Sequence, residues 1–432
     1  MSVFAKASAS RSVRAVFTGV ALVGVSALLL TGCATTAGTS AASSTPSASG
    51  DVKAVAAGDR NLTLKIGTIL PQSGALAFLG PPEEAGVALA VKDINEAKLG
   101  LTVEPVYRDS GDTTTDTATV SVTDLLSQKV TAIVGAASSG VSKTVIDQIT
   151  GAGVVQFSPA NTSADFTKYA DKGLYWRTAP SDLLQGEVLG NQIATDGNST
   201  LGLIVLNDSY GTGLAESTTK AFEAAGGKVV AKSLFNEGDS NFAAQISEVT
   251  AAKPDAIALI TFDQAKIITP ALVGAGFPGG KLYFVDGNLS DYSKVFATPG
   301  LITGAKGTLP GLDVGTLGDF TTRLKAINPA LTDFSYAAES YDAVVLIALA
   351  AFAGNDVKGT SIASYLRQVS GGTGDGTKVT DFKSAAAALA KGEQVNYDGF
   401  SGPITFDENG DPTEATIGVY EYEASNNYKR IN

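Results

Sequence analysis

The feature that most constrains the fold of this chain is an alternation of strand-like and helix-like segments that begins near Asn61. The apolar run LTLKIGTIL predicts a buried strand, and EEAGVALAVKDINEA, which follows it, carries apolar residues at helical spacing. The alternation continues through LTVEPVYRD, TATVSVTDLLSQ, VTAIVGA, VSKTVIDQIT and GVVQFS. Strands that alternate with helices are joined by right-handed crossovers into a parallel sheet, so this pattern predicts an α/β fold.

The same pattern occurs a second time further along the chain. After YWRTAPSD, the order of strand and helix restarts at TLGLIVLN and continues to KLYFVDG. In both halves the second strand leads to a loop of acidic, Ser, Thr and Asn residues, which reads RDSGDTTTD in the first half and NEGDSNFAA in the second. The repeat predicts two doubly wound, Rossmann-like lobes, and one large α/β domain is the alternative.

The last part of the chain predicts helices and a terminal hairpin. LGDFTTRLKAI, FSYAAESYDAVVLIALAAFAG and SIASYLRQV have helical patterns, and a Gly- and Asp-rich insertion with a short Ala-rich helix occupies 371–393. The C-terminal segment predicts a β-hairpin whose turn at 407–411 contains Asn-Gly, a pair that readily adopts positive φ. Calcium binding at this acidic turn is the alternative, and the lack of EF-hand spacing favours a plain turn.

The N-terminal region has the layout of a secretory signal. Basic side chains without acidic ones precede an apolar run at 15–30, which is shorter than the ~20 residues of a membrane-spanning helix. The run ends in LTGC, which resembles the bacterial lipobox and implies that Cys33, the single cysteine, is lipidated after residues 1–32 are removed. An ordinary secretory signal is the alternative. Residues 33–60 are mostly small and polar and predict a flexible tether.

Composition excludes several classes of function. The chain carries 31 Lys and Arg against 43 Asp and Glu, a formal net charge of −12, which argues against nucleic acid or an anionic lipid surface as a partner. It contains no histidine, which excludes Ser-His-Asp and Cys-His catalysis and histidine zinc sites, and its single cysteine excludes thiolate clusters. We therefore expect no catalytic residues, metal or cofactor, and nearly flat ligand binding between about pH 6 and 8. A secreted hydrolase that uses two carboxylates is the alternative.

Loops at one end of the predicted strands are candidates for a ligand site, because open parallel sheets bind ligands beyond the carboxyl ends of their strands. In the first lobe these loops are LPQSGALAFLG, GAASSGVS and FSPANTSAD, whose N–H groups and hydroxyls suit a carboxylate. In the second lobe they are NDSYGTG, TFDQA and VDGNLSD, whose acidic and aromatic side chains suit an ammonium group beside an apolar portion. Helix capping and core packing are the alternative roles of these residues.

Together these segments resemble a known family. LKIGTILPQSGALAFLGPPEEAGVALAVKDIN, VTAIVGAASSGVS, GVVQFSPANTSADFT and NDSYGTGLAE are similar to the branched-chain amino-acid (Leu/Ile/Val) binding proteins of ABC importers, which are type I periplasmic binding proteins. The resemblance runs from about Leu62 to the C-terminus. It implies two lobes that are joined by a hinge and separated by a ligand cleft.

The resemblance also implies roles for particular residues. Ser139, Ala160 and Thr162 look like the groups that hold a ligand carboxylate, and Tyr210 matches the tyrosine that closes over the ligand from the second lobe. The second aromatic group and the acidic partner of an ammonium group fall among the remaining candidates in the second lobe. The full set of candidate ligand-binding residues is Ser73, Ser138, Ser139, Ala160, Asn161, Thr162, Tyr210, Phe262, Asp263 and Asp286.

By the same resemblance, the chain is expected to be an extracytoplasmic, lipid-anchored solute-binding protein. It would capture a small solute, such as a branched-chain or other apolar amino acid, and deliver it to the membrane permease of an ABC importer. We expect a monomer that is not an enzyme and that contacts the membrane only through its lipid. A ligand-sensing receptor of the same fold and a binder of amides, urea or aromatic acids are the alternatives.

The hinge of such a protein has three crossings, which we expect near 178–181, 308–311 and 401–403. The resulting lobes consist of residues 61–179 and 311–400 for the first and residues 180–310 and 401–432 for the second.

Overall fold

The computed structural model describes residues 52–374 and 376–432, so the predictions for the signal peptide and Cys33 lie outside the described part of the chain. The strands of the first sheet are β1 (Leu62–Leu70), β2 (Leu101–Asp109), β3 (Ala132–Gly135), β4 (Val155–Ser158) and β5 (Tyr175–Arg177). They are all parallel and lie in the order β2-β1-β3-β4-β5. The inner strand β1 is buried throughout 66–70, because helices cover both faces of the sheet.

The helices that follow these strands in the first lobe are α1 (Gly80–Ala97), α2 (Thr117–Ser127) and α3 (Ser139–Gly151). The second lobe begins with α4 (Asp182–Thr195) and contains β6 (Thr200–Leu206), α5 (Ser209–Ala224), β7 (Lys228–Phe235), α6 (Ala243–Ala251), β8 (Ala256–Ile260), α7 (Ala265–Gly274), β9 (Leu282–Phe284) and β10 (Lys306–Pro310). Short 3-10 helices lie at Ala164–Phe166, Gly279–Lys281 and Val314–Thr316.

The helix α4 was absent from the sequence prediction, and its two interior glycines explain why. Gly186 and Gly190 lower helix propensity, so the segment lacks a strong helical signal. In the structure, a Cβ added at Gly186 would lie 2.4 Å from the Ser217 Cβ, and one at Gly190 would lie 2.6 Å from the Thr218 carbonyl oxygen. The glycines therefore allow α4 to pack closely against α5, and tertiary packing outweighs local propensity.

After β10 the chain returns to the first lobe. The returning elements are α8 (Gly318–Ile327), α9 (Ala337–Gly354), α10 (Gly359–Val369), β11 (Thr377–Val379), α11 (Phe382–Leu389), β12 (Val395–Gly399) and β13 (Gly402–Pro403). The helix α9 is long and apolar enough to cross a membrane, but 94% of this stretch is buried inside the protein. It packs against α1 and the first sheet and is the central helix of that lobe's core.

The chain ends in the second lobe with β14 (Ile417–Tyr422) and β15 (Tyr428–Arg430). The strand β14 runs antiparallel to both β10 and β15, and the second sheet has the order β15-β14-β10-β9-β8-β6-β7. Two apolar clusters cover the two faces of the first sheet, and a third cluster around the second sheet also includes Leu76, Leu79 and Ala137 from across the interlobe cleft. The predicted fold class, two doubly wound α/β lobes, is confirmed.

The third crossing lies later in the chain than the sequence analysis placed it. Residues 401–403 remain in the first lobe, where β13 pairs with β12. Phe406 also stays there, because its ring packs edge-on against Phe157 at 5.9 Å and Trp176 at 5.2 Å between ring centroids. The chain enters the second sheet only at Ile417. The assignment of residues 401–406 to the second lobe is therefore wrong, and these residues belong to the first lobe.

The predicted hairpin is also displaced. The turn at 407–411 closes only a single antiparallel bridge, between Phe406 and Pro412. The extended C-terminal hairpin is instead formed by β14 and β15, joined through a turn in which the Glu423 N–H donates to the Asn427 carbonyl at 2.7 Å.

The end of the predicted tether is packed against the first lobe. In residues 52–60, which we call the N-terminal strap, the Ala56 N–H donates to the Ala353 carbonyl at 3.0 Å. The Arg60 side chain is 6% exposed, donates from Nε to the Phe352 carbonyl at 2.9 Å and lies over the Phe352 ring. The prediction that segment 33–60 is flexible is therefore wrong for its C-terminal end. There, backbone hydrogen bonds and apolar contacts hold the strap against the first lobe.

Candidate functional site

The carboxyl ends of strands from both sheets face a small cavity between the lobes, which we call the cleft cavity. Its volume is about 20 Å³, close to the space that one water molecule needs. The lobes touch at its edges. The Ser163 hydroxyl donates to the Ser209 carbonyl at 3.0 Å, and the Thr113 N–H donates to the Glu237 carboxylate at 3.0 Å. The structure is thus a closed arrangement of the two lobes.

The first-lobe wall presents hydrogen-bond donors at the N-terminus of α3. Ser138 is the N-cap of this helix, and its hydroxyl accepts from the Val141 N–H at 3.3 Å. Ser139, the first helical residue, accepts from the Ser163 N–H at 3.3 Å. Unpaired N–H groups and the positive end of the helix dipole favour an anionic group at this position.

The loop after β4 supplies the rest of this wall. The Ser158 hydroxyl accepts from the N–H groups of Ala160 at 3.2 Å and Asn161 at 2.9 Å, which shapes a tight turn. The Asn161 amide donates to the Ala137 carbonyl at 2.8 Å and thereby links the turn to the loop after β3. Because of this turn, Ala160 and Thr162 line the cavity.

A buried arginine supports that loop from behind. Arg177, at the end of β5, is completely buried and donates to the Ser163 carbonyl at 2.7 Å. It forms a two-point ion pair with Asp411, with distances of 2.6 Å from Nε and 2.8 Å from Nη2. Asp411 belongs to the turn at 407–411, for which calcium binding was the alternative. Its carboxylate instead neutralises Arg177.

The second-lobe wall is aromatic and acidic. Tyr210 lies in the first turn of α5, where Asp208 caps the helix by accepting from the Gly211 N–H at 2.7 Å. The Tyr210 ring stacks on Phe262, with 5.4 Å between centroids and 17° between planes. The loop after β9 places Asp286 next to this pair, and the Tyr210 hydroxyl donates to its carboxylate at 2.6 Å.

Asp286 is the polar centre of the cavity. It is 5% exposed and also accepts from the Tyr336 hydroxyl at 2.8 Å and the Gln185 Nε2 at 3.0 Å. Burial raises the pKa of Asp286, and the donated hydrogen bonds oppose this increase. No lysine or arginine lines the cavity among the described residues. The carboxylate therefore suits a cationic group on a ligand.

A second buried acid lies behind this wall. Neither oxygen of the Asp182 carboxyl has a hydrogen-bond partner among the described residues, although the Asp182 N–H donates to the Thr162 carbonyl at 2.7 Å. Burial and the nearby negative charge of Asp286 hold the pKa of Asp182 well above its usual value. Asp286 differs from Asp182 in geometry, because among the described residues only its carboxylate accepts hydrogen bonds from side-chain donors that line or adjoin the cavity.

The structure brings together most of the residues that the sequence analysis selected. The cavity is lined by Ser138, Ser139, Ala160, Thr162, Tyr210, Phe262 and Asp286. Asn161 lies directly behind the wall, whereas the other two candidates lie elsewhere. Ser73 is exposed and binds the Asp109 carboxylate, and Asp263 pairs with Lys266 at 3.7 Å outside the cavity. Their direct contact with a ligand is therefore no longer expected.

Other lining residues were missed by the sequence analysis. These are Leu76, Leu79, Ala137, Gly287 and Tyr336. The two leucines follow β1 in the loop LPQSGALAFLG, which was identified as a rim loop, and their apolar side chains were the available signal. Tyr336 is different, because it lies between α8 and α9 and does not directly follow a β-strand. Only the tertiary fold shows its position.

Within residues 52–374 and 376–432, no group of three or more His, Cys, Asp or Glu side chains has an arrangement that suits a metal ion. The side chains at the cleft cavity instead combine hydroxyls, N–H groups, one charged carboxylate and apolar walls. Such a site can bind an organic molecule by hydrogen bonds and charge.

Comparison with known proteins supports this description. A sequence model of the family described as periplasmic binding protein matches residues 63–427. The chain is 26% identical over 352 residues to the chemotactic signal transduction system substrate-binding protein BasB of Halobacterium salinarum, covering 78% of this chain and 82% of that protein. It is 25% identical over 369 residues to the Leu/Ile/Val-binding protein BraC3 of Rhizobium johnstonii, covering 84% and 92%.

A solved structure has the same fold. The branched-chain amino acid transporter substrate-binding protein LivJ of Streptococcus pneumoniae, in complex with isoleucine, superposes with a TM-score of 0.69 at 23% identity. The similarity covers 85% of this chain and 99% of that one.

Proposed function

The chain belongs to the periplasmic binding protein family and has its type I fold. From this premise we propose that it captures a branched-chain or other apolar amino acid between its lobes. A single observation carries this proposal. Donor groups at the N-terminus of α3 face the buried Asp286 carboxylate across a cavity with apolar side chains. An α-amino acid has the matching groups, a carboxylate and an ammonium group on one carbon.

In this binding mode the ligand carboxylate accepts hydrogen bonds from the Ser139 and Thr162 hydroxyls and neighbouring N–H groups. The ligand ammonium group takes the place of tyrosine donors at Asp286, and the ligand side chain lies against Leu76, Leu79 and Phe262. Opening of the lobes precedes binding, since the closed cavity of about 20 Å³ is too small for an amino acid. A ligand that touches both walls then stabilises the closed state.

The first test is a binding panel measured by isothermal titration calorimetry and thermal shift. It contains leucine, isoleucine and valine, and also amides, urea, benzoate and sugars. A ligand at 100 times its Kd adds about 2.7 kcal/mol to stability, which gives a measurable shift in Tm. Binding of the amino acids alone supports the proposal, whereas binding of benzoate or urea alone would assign another ligand class to the same cleft.

The Asp286→Asn variant tests the role of the carboxylate. Loss of a buried charge partner weakens binding by about 2–5 kcal/mol, at least about 30-fold in Kd. Asp263→Asn is the matched control, because Asp263 lies outside the cavity and pairs only with Lys266. Equal affinities in the two variants would remove Asp286 from the proposed site.

We further propose that the loaded protein serves an ABC importer as its solute-binding component and is held by lipid at Cys33 on the extracytoplasmic face of the membrane. The similarity to BraC3 and the sequence LTGC support this assignment. In bacterial cells, Cys33→Ala should release the protein from the membrane fraction while leaving ligand affinity unchanged. Retention in the membrane of a variant from which residues 1–32 have been removed would exclude the lipid anchor.

Signalling is the second candidate function, because the similarity to BasB extends over most of both chains and BasB is described as part of a chemotactic system. The two functions predict different partners for the same closed clamp. Uptake of labelled ligand that requires this protein supports transport. A chemotactic response that requires it, without any effect on uptake, supports sensing.

A further inference from the structure

A second cavity lies at the hinge, apart from the cleft cavity. It has a volume of about 160 Å³ and is bordered by the end of β10, the loops at 312–315 and 332–336, the first turn of α9, and tyrosines of β14 and β15. This hinge cavity is several times larger than the ~30 Å³ that a water molecule occupies in the liquid. Nothing in the proposed amino-acid binding uses this space.

The crossings between the lobes meet beside this cavity. In the second and third crossings, the Gly311 N–H donates to the Thr416 carbonyl at 2.8 Å, and the Thr416 hydroxyl donates to the Gly311 carbonyl at 3.0 Å. In the first crossing, the Thr178 hydroxyl donates to the carbonyl of Glu339 at 3.0 Å. A molecule bound here contacts the segments that must change conformation when the lobes open.

The lining of the hinge cavity is acidic and aromatic. Three of its side chains are carboxyls, and several are aromatic rings. The carboxyls are those of Asp313, Asp333 and Glu339, and the rings include those of Phe334, Tyr420 and Tyr428. Among the described residues that line the cavity, none is lysine or arginine. Carboxylates and the faces of aromatic rings both attract organic cations.

One of the carboxyls is buried without a partner. Glu339 is 4% exposed, and its Oε2 atom has no hydrogen-bond partner among the described residues. A Cβ added at Gly311, where φ is +99°, would lie 2.4 Å from the Glu339 Oε1, so the glycine leaves space for this carboxyl. An unpartnered buried acid is costly unless a binding partner satisfies it.

From this combination we propose that the hinge cavity binds a small organic cation, such as a quaternary or primary ammonium compound, and that the bound cation holds the hinge in one conformation. Glu339 supplies the charge, and the aromatic rings contact the alkyl groups. An organic cation fits better than a metal ion, because the described carboxyls form no cluster with metal-ligand geometry.

The hinge cavity is connected to the cleft cavity through Tyr336. This residue lines both cavities, and its hydroxyl donates to Asp286 in the cleft cavity at 2.8 Å. A cation that favours one arrangement of the hinge therefore also changes the affinity of the cleft for its own ligand. By linkage, the cleft ligand changes the affinity for the cation by the same factor.

The cation must compete with a proton at Glu339. Burial raises the pKa of Glu339 to about 8, so the carboxyl is mostly protonated at neutral pH and is ionised when the cation binds. Cation affinity should consequently increase between pH 7 and 8.5. The charged or titratable groups around Glu339 are Glu83 of α1, Asp342 of α9, Tyr336, Asp313, Asp333, and Tyr420 with the adjacent Arg430.

Tetramethylammonium chloride is the probe for this proposal, and calorimetric titration at constant ionic strength, at pH 7 and pH 8.5, is the measurement. We expect saturable binding that is tighter at pH 8.5, while the neutral compound 2,2-dimethyl-1-propanol does not bind. In Glu339→Gln the affinity should fall at least tenfold. Because the acid is mostly neutral near pH 7, the amide is a close substitute and the variant should fold.

The matched control is Glu414→Gln, which removes the same charge from an exposed position near the third crossing. This variant should bind tetramethylammonium like the unmodified protein. If Glu339→Gln does not fold, Tyr428→Leu provides the second variant and should weaken binding several-fold. Equal binding by all variants, or no binding at either pH, overturns the proposal.

Two further readouts separate this proposal from the proposed function. Tetramethylammonium should slow hydrogen exchange at the Gly311 amide, because the hydrogen bond of this amide to Thr416 links the second and third crossings. It should not slow this exchange in Glu339→Gln. Its binding should persist in Asp286→Asn, where amino-acid binding is weakened. Loss of tetramethylammonium binding in Asp286→Asn alone would place the cation in the cleft cavity and overturn the hinge site.

Discussion

The buried ion pair between Arg177 and Asp411 is expected to make a large contribution to the free energy of unfolding. Arg177 has no exposed surface, the Asp411 side chain is 13% exposed, and the pair is held at two points. Removing one partner of a buried pair leaves an uncompensated charge and costs about 3–5 kcal/mol. Asp411→Asn should therefore destabilise the first lobe by this amount.

The expected change in melting temperature follows from the size of the protein. An unfolding entropy of about 2.1 cal/mol/K per residue, over about 380 described residues, gives ~0.8 kcal/mol/K. A loss of about 3–5 kcal/mol thus lowers Tm by about 4–6 °C. Arg177→Met should lower Tm further, because the carbonyls of Asn161 and Ser163 also lose their donor.

The control is an exposed pair of the same two residue types. Arg108 and Asp124 form an ion pair with side chains that are 38% and 44% exposed. Because an exposed pair contributes about 0–1 kcal/mol, Asp124→Asn should lower Tm by no more than about 1 °C. Differential scanning calorimetry measures both variants. A similar small shift in Asp411→Asn and Asp124→Asn would refute the argument from burial.

Three further predictions concern the hinge and the strap. Because burial raises the pKa of Glu339 to about 8 and that of Glu83 well above its usual value, the folded protein holds more protons than the unfolded chain above about pH 4.5. Stability should therefore fall as the pH rises towards 8, and Glu339→Gln should flatten this slope in melting curves measured from pH 5 to 8. Gly311→Ala should lower Tm more than Gly304→Ala. Both positions have positive φ, but only at Gly311 does a carboxylate oxygen lie 2.4 Å from the new Cβ. Equal losses of Tm in the two variants would contradict this steric argument. A chain that begins at Asn61 lacks the whole N-terminal strap and should melt at a lower temperature than one that begins at position 52. Identical melting curves would show that the strap adds no stability.

Hydrophobic periodicity predicted most strands and helices, because each long apolar run here is buried in one layer of the fold. The prediction failed where a contact from elsewhere in the chain decides the structure. The helix α4 has two glycines that only its packing on α5 explains. Phe406 stays with the first lobe because Trp176 and Phe157 contact its ring, and no local pattern records those partners.

The candidate site likewise contains residues that the sequence predicted and residues that only the tertiary structure reveals. Seven candidates line the cleft cavity because they follow parallel strands, whose carboxyl ends meet at one edge by topology. Tyr336 does not directly follow a strand, so the rule that ligand sites lie beyond the carboxyl ends of strands could not identify it. The argument from the missing histidine was also incomplete, because burial raises the pKa of Asp208 to about 6 and that of Glu339 to about 8. Neither carboxyl lines the cleft cavity, so nearly flat ligand binding between about pH 6 and 8 stays a prediction.

The position of α9 in the chain also affects how the protein is made. The first sheet ends at Arg177, but the helix that covers one of its faces is complete only at Gly354. At about 5–20 residues per second, a ribosome needs roughly 10–35 s to add the intervening segment. During this interval α1 covers only part of this apolar sheet face, and the part that α9 later buries is prone to aggregation. The first lobe therefore cannot complete its apolar core until the whole second-lobe segment from α4 to β10 has been synthesised.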